Sequence, residues 1–220
     1  MLSALVWDWR PLIWAVAGLT MVVGSVIALA QSDFKRMLAY SSISNGGFIL
    51  VGFSATNRPA IAAVLIYLIA YAFATVGAFA LLTLIREQAG ESSTLIRWKG
   101  LGKKSPLVAA LMSLFMLSFA GIPLTSGFTA KFGVFTAAIS GGATALVLVG
   151  VLASVIAAVF YVRVIILMFF SEPIPDGPFV LVPSVFTTIA ITASALVTII
   201  LGLFPQVIID LISSASVFLR

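Results

Sequence analysis

The chain has no cysteine and no histidine, and only 9% of its 220 residues are charged. Without cysteine there are no disulfides and no thiolate metal sites. Without histidine the commonest metal ligand and the usual neutral-pH proton carrier are both missing. So little charge, set against 62% hydrophobic residues, excludes an ordinary soluble domain. No Gly-rich phosphate loop, metal-ligand cluster or nucleophile–base pair is present, so the sequence gives no support to an enzyme with its own active site. The net charge of +5 does not point to nucleic acid. The basic residues lie between long apolar runs, where they act as topology signals. The opening MLSALVWDWR has no basic segment and places Asp8 in its apolar part, unlike a cleaved signal peptide.

What is present reads as an all-α integral membrane protein embedded in a lipid bilayer. Charge-free windows recur, each long enough for the ~20 residues a spanning helix needs. Six transmembrane helices are expected over residues 11–30, 34–55, 59–85, 106–140, 144–170 and 183–205. Ser32 or Asp33 is a candidate N-cap for the second. The longest polar stretch runs from Arg86 to Pro106, and the amphipathic end QVIIDLISSASVFLR is expected at the interface.

The fourth span carries the sharpest anomaly. As one straight helix its residues would extend roughly 50 Å, against ~30 Å of hydrocarbon. Its middle reads GIPLTSGFTAKF, with Gly121, Pro123 and Gly127 in sequence. Proline removes a backbone donor, and glycine permits non-helical angles. The apolar runs on either side are too short to cross alone. One discontinuous crossing, broken near 121–127, is therefore expected. The loops after spans one, three and five hold Lys35, Arg36, Arg86, Arg97, Lys99, Lys103 and Lys104, whereas the opposite side holds Arg10, Arg58 and Arg220. The positive-inside rule places the first set in the cytoplasm and both chain ends on the outer face. Charge does not decide between one and two crossings; length favours one.

Lys131 follows the break, with no other charge between Lys104 and Arg163. A lysine at mid-helix costs ~2.5–3.5 kcal/mol on insertion scales and marks a functional site by default. The bland reading is a lysine that snorkels to an interface, which works only near a helix end. Thr125, Ser126 and Thr129 are candidates to bond the freed backbone groups or to order water. The bland reading of the break is a plain proline kink, which does not call for a lysine beside it. In span two, Ser41, Ser44 and Asn45 share a face flanked by Tyr40. That face avoids lipid, and for the serines taken singly, helix–helix hydrogen bonding explains it as well as a water path does. Tyr67, Tyr71 and Thr75 share a face of span three, with packing or a water path as the alternatives. Arg163 either snorkels or pairs with a buried acid. No span has an acid in its interior, so a carboxylate for Arg163 or Lys131 has to come from another chain.

Two motifs carry a family resemblance. Phe34 to Ser44, FKRMLAYSSIS, resembles the antiporter-like subunits of respiratory complex I and of multisubunit cation/proton antiporters. Gly100 to Phe132, containing GLGKKSP and LSFAGIPLTSGFTAKF, looks most like the N-type members of bacterial NADH–quinone oxidoreductase. M-type relatives tend to have glutamate where Lys131 stands. The resemblance implies two inverted five-helix repeats, each with one broken helix, of which this chain is the second together with a C-terminal helix. It implies a row of lysines and glutamates at midplane, with Lys131 as the member that serves the outer half-channel. Less directly, it assigns proton transfer to Lys35. NADH, FMN, iron–sulfur clusters and quinone are expected in other subunits, with no cofactor and no metal held by this chain. The expected partners are the other membrane subunits of complex I and an N-terminal half of the same subunit, either truncated away or encoded separately. The function implied is proton export coupled to NADH-to-quinone electron transfer, with a subunit of a multisubunit cation/proton antiporter or a non-transporting structural remnant as the alternatives, and the expected location is the bacterial plasma membrane. L-type relatives bear histidine and lysine where span three offers Tyr67, Tyr71 and Thr75, so a path there depends on hydroxyls and water.

Overall fold

A computed structural model describes residues 6–55, 58–87, 90–91, 93–174 and 177–206. Eight α-helices are present among them: α1 (Val6–Ala30), α2 (Phe34–Phe53), α3 (Arg58–Leu84), the single turn α4 (Leu101–Lys104), α5 (Pro106–Ala120), α6 (Ser126–Ser140), α7 (Thr144–Phe170) and α8 (Val185–Leu203). The amphipathic end expected beyond Gln206 lies outside the described residues.

Four of these helices, α1, α3, α7 and α8, are long and apolar enough to cross a membrane. α2 is equally long at 20 residues. Lys35, Arg36 and a polar centre of Ser41, Ser42, Ser44 and Asn45 make it less apolar. Its start is fixed by Asp33, whose carboxylate accepts a hydrogen bond from the Arg36 amide at 2.9 Å. Asp33 is thereby the N-cap that satisfies one of the orphan donors of the first turn.

The helix ends sort into two layers. On the first side the Phe34 amide donates to Ser93 O at 2.6 Å, and Leu95 N donates to Ser32 O at 2.8 Å. Gly100 N reaches Leu167 O at 3.0 Å, and Lys103 pairs with Glu172 at 2.7 Å. The end of α1, start of α2, end of α3, start of α5 and end of α7 thus share one side, with all seven basic residues of the expected cytoplasmic set. On the second side Arg10 donates to Gly141 O, and Gly141 packs on Ala55. α5 therefore starts on the first side and α6 ends on the second. Together they make one interrupted crossing, the alternative that length favoured.

The polar stretch after α3 is more ordered than its composition suggested. β1 (Ile85–Glu87) pairs antiparallel with β2 (Gly90–Glu91) and, on its other edge, with β3 (Phe179–Val180). A 3-10 turn over Leu95–Trp98 follows and buries Trp98, which meets Phe34 edge-on at 4.7 Å between ring centroids. Short strands with charged neighbours give little alternating pattern, so no strand was legible there. β3 ties the chain entering α8 back to the end of α3.

Candidate functional site around Lys131

The interruption spans residues 121–125. α5 ends at Ala120, and Gly121 follows in the left-handed conformation with φ 78°. Its amide bonds Leu117 O and Ser118 O, and the Ile122 amide also bonds Leu117 O. These bonds satisfy the carbonyls at 117 and 118. The carbonyl of Phe119 is different. In a continuing helix its donor would be the amide four residues on, and that residue is Pro123, which has none. Lys131 fills the gap: its Nζ donates to Phe119 O at 2.9 Å and to Ala120 O at 3.4 Å.

Lys131 is buried, 7% exposed, although its side chain ends in an ionisable amine. Three features compensate for that burial. The carbonyls at the end of α5 carry the negative pole of its dipole. When Nζ is protonated, the bond to Phe119 O is charge-assisted, a class of bond that contributes about 1.5–3 kcal/mol. The Phe48 ring lies 4.7 Å from Nζ, within cation–π range. No acid stands among the residues lining the site.

Beside Lys131 lies a small cavity with room for about one water, lined among others by Asn45, Tyr67, Tyr71, Ser118 and Gly127. Its size suits water better than a drug-sized ligand. Hydrogen bonds run away from it. Tyr67 Oη donates to Asn45 Oδ1 at 2.7 Å, and Asn45 Nδ2 donates to Ser41 O at 2.9 Å and to Ser41 Oγ at 3.3 Å. Ser41 Oγ in turn bonds the Tyr161 hydroxyl. An amide does not hand a proton along such a chain. Its effect is orientation: with its proton committed to Asn45, Tyr67 has only lone pairs left to offer the cavity.

The two halves of the crossing meet through Ser118 and Ser126, whose hydroxyls lie 3.0 Å apart, and through Gly127 N donating to Ser118 Oγ at 3.2 Å. Gly127 is required by this approach, since a Cβ there would overlap the backbone of Ser118. Thr125 Oγ1 turns back to Ile122 O at 2.7 Å.

The structure brings together Lys131, Gly127, Asn45, Tyr67 and Tyr71 around the cavity, with Ser41 and Ser126 each one hydrogen bond further away. Thr75 lies one turn beyond Tyr71 on α3. Ser44 does otherwise: it bonds Ser25 of α1 at 2.8 Å and Met21 O at 3.2 Å, and so acts in helix–helix packing. Tyr71 donates to Ser42 Oγ at 2.7 Å. Tyr40 is half-buried against the core. Lys35 lies in the first turn of α2 and does not line the cavity. Arg163 is exposed on the outer face of α7 and not turned into the bundle. Sequence reasoning missed Phe48, Ser118, Phe119 and Tyr161. The carbonyl of Phe119 was within reach, because it lies four residues before Pro123. Tyr161 sits in a span whose interior polar residues, Ser154 and Arg163, do not share a four-residue spacing with it, and it gave no signal.

Comparison with known proteins fits this arrangement. A family model described as NADH:quinone oxidoreductase/Mrp antiporter, TM, matches residues 1–157. Subunit N of NADH-quinone oxidoreductase from Rhodococcus opacus (strain B4) is 58% identical over 213 residues, covering 97% of this chain and 39% of that protein. Subunit N 3 from Streptomyces griseus is 58% identical over 219 residues, covering 100% and 40%. Among solved structures, a chain of respiratory complex I from Thermus thermophilus with bound aureothin superposes with a TM-score of 0.77 at 29% identity, over 91% of this chain and 45% of that one. This chain therefore spans about two-fifths of the length of the curated relatives it matches. An interrupted crossing with a buried lysine, found in a sequence that the family model matches over most of its length, makes this chain a member of the NADH:quinone oxidoreductase/Mrp antiporter transmembrane family.

Proposed function

We propose that this chain is the C-terminal part of a proton-translocating membrane subunit of NADH–quinone oxidoreductase, and that Lys131 is its proton-transfer residue. The observation that carries this reading is the Lys131 amine, held on the carbonyl that Pro123 leaves free and set beside a cavity suited to water. In this proposal the remaining part of the subunit supplies the lysines and acids that deliver the proton. Other subunits hold NADH, FMN, iron–sulfur clusters and quinone, and oxidise NADH. Their redox energy changes the field at Lys131, which takes a proton through the cavity and passes it towards the side opposite the basic loops. Following the positive-inside rule, the basic side is cytoplasmic and both ends of this chain are outside. Lys35 stands at the mouth of α2 on the basic side, where proton entry or topology anchoring are its two roles.

A second reading is a subunit of a multisubunit cation/proton antiporter, because the matched family covers both kinds of complex. Purifying the complex from its own membranes through a tag on this chain separates the two. Flavin and iron–sulfur proteins in the preparation support the first reading, and their absence supports the second. Within the first reading, Lys131→Ala should abolish or sharply lower proton pumping linked to NADH oxidation. Pumping at the wild-type level would remove Lys131 from the path.

A further inference from the structure

α8 carries no charge and no candidate residue, yet it bears on the interruption at several points. Leu201 lies four residues before Pro205, so its carbonyl, like that of Phe119, has no amide to accept from in the helix. Thr129 of α6 fills it, with Oγ1 donating to Leu201 O at 3.2 Å. α6 therefore satisfies two proline-freed carbonyls from opposite faces: Lys131 takes the one at the end of α5, and Thr129 takes the one at the end of α8. The next residue, Gly202, packs so closely on the interruption that a Cβ would overlap Leu124 O and the carbonyl carbons of Leu124 and Thr125. Leu124 has φ 73° and is the one non-glycine residue with positive φ among the described residues. A bulky side chain adopts that conformation only when its surroundings impose it. The Leu124 side chain is 69% exposed, so side-chain packing within the chain does not impose it. The contact with Gly202 is on the backbone.

We infer that α8 is a brace for the interrupted crossing, with Gly202 and Thr129 as positioning residues that hold residues 121–125 in the conformation placing Lys131 on Phe119 O. The functional part of this inference rests on the proton role proposed for Lys131; the conformational part does not. β3 contributes by tying the start of α8 to the end of α3, so the brace is fixed at both ends.

The test uses the assembled complex with Gly202→Ala, Thr129→Val and the double variant Gly202→Ala with Leu124→Gly. Two readouts are taken: amide hydrogen exchange across residues 121–131, and protons pumped per NADH oxidised. The brace predicts that Gly202→Ala raises exchange across 121–127 at least fivefold and lowers the pumping ratio. Thr129→Val should do the same to a smaller extent and covers the case in which Gly202→Ala fails to assemble. Leu124→Gly adopts the left-handed conformation without strain and so depends less on the brace; it should restore both readouts in part in the Gly202→Ala background. Unchanged exchange in both single variants would overturn the brace. Altered exchange with unchanged pumping leaves the brace as a conformational device and overturns its part in proton transfer; the role of Lys131 itself is decided by Lys131→Ala.

Discussion

Gly127→Ala tests the geometry of the interruption directly. The added methyl would meet the Ser118 backbone, with the Ser118 carbonyl carbon 2.6 Å away, so no rotamer change relieves it. The end of α5 and the start of α6 have to separate. Overpacking of this kind costs about 1–3 kcal/mol. Separation also breaks the Gly127 N–Ser118 Oγ bond and the Ser118–Ser126 bond. Each contributes about 0.5–1.5 kcal/mol. The expected total is about 2–6 kcal/mol. Gly46→Ala is the internal comparison, because no atom lies within 4 Å of the position its methyl would take on α2. It should be neutral or stabilise by about 0.5–1 kcal/mol through reduced backbone entropy. Thermal denaturation of the purified complex, followed by loss of this chain from it, gives the rank order. Gly127→Ala should release the chain at a clearly lower temperature than wild type, and Gly46→Ala should not. If the two variants behave alike, the close approach of α5 and α6 at Ser118 is wrong.

Other outcomes follow from the same structure. Lys131→Met leaves Phe119 O without its donor, a cost of about 1–3 kcal/mol, and removes an insertion cost of about 2.5–3.5 kcal/mol. The two nearly cancel, so the variant complex should assemble in wild-type amounts; failure to assemble would make Lys131 a structural residue. Tyr67→Phe leaves the buried Asn45 Oδ1 without its 2.7 Å donor. It should cost about 1–3 kcal/mol of stability and slow pumping at retained NADH oxidation; an unaltered denaturation midpoint would refute the assigned bond. Asp33 should make the basic-side turn acid-sensitive. Partial burial works against its ionisation, but hydrogen bonds from the Ser93 side chain and the Arg36 and Lys35 backbone, with the Arg36 charge, hold its carboxyl below the usual carboxylate range. A depressed value means that its contribution is complete above the unfolded value near ~4 and is lost as pH falls through the folded one. Hydrogen exchange at the Arg36 amide should rise more steeply below about pH 4 in wild type than in Asp33→Asn, after correction for intrinsic rates.

Much of this fold is written in residue type. Long charge-free runs set the helices, Asp33 sets the start of α2, and the short apolar runs either side of Gly121–Gly127 required a broken crossing. What stayed hidden depends on contacts between segments distant in the chain. β3 pairs with β1 across more than ninety intervening positions, and two-residue strands leave no periodic pattern. The polar face of α2 looked uniform in sequence, yet Ser44 turns to α1 while Ser41 and Asn45 turn to the cavity side, because three helices compete for that face. The partners of Lys131 and Thr129 were half legible. A proline always deprives the carbonyl four residues earlier in a helix, so Phe119 and Leu201 could be named from Pro123 and Pro205. Which side chain would satisfy each carbonyl required the packing of α5, α6 and α8.

The central claim is that Lys131 moves protons and does not merely plug a free carbonyl. Its most direct test is the number of protons moved per NADH oxidised by the intact complex in sealed vesicles, compared between wild type and Lys131→Met. The account predicts a lower ratio in the variant while NADH oxidation with an uncoupler present continues. An equal ratio would contradict it.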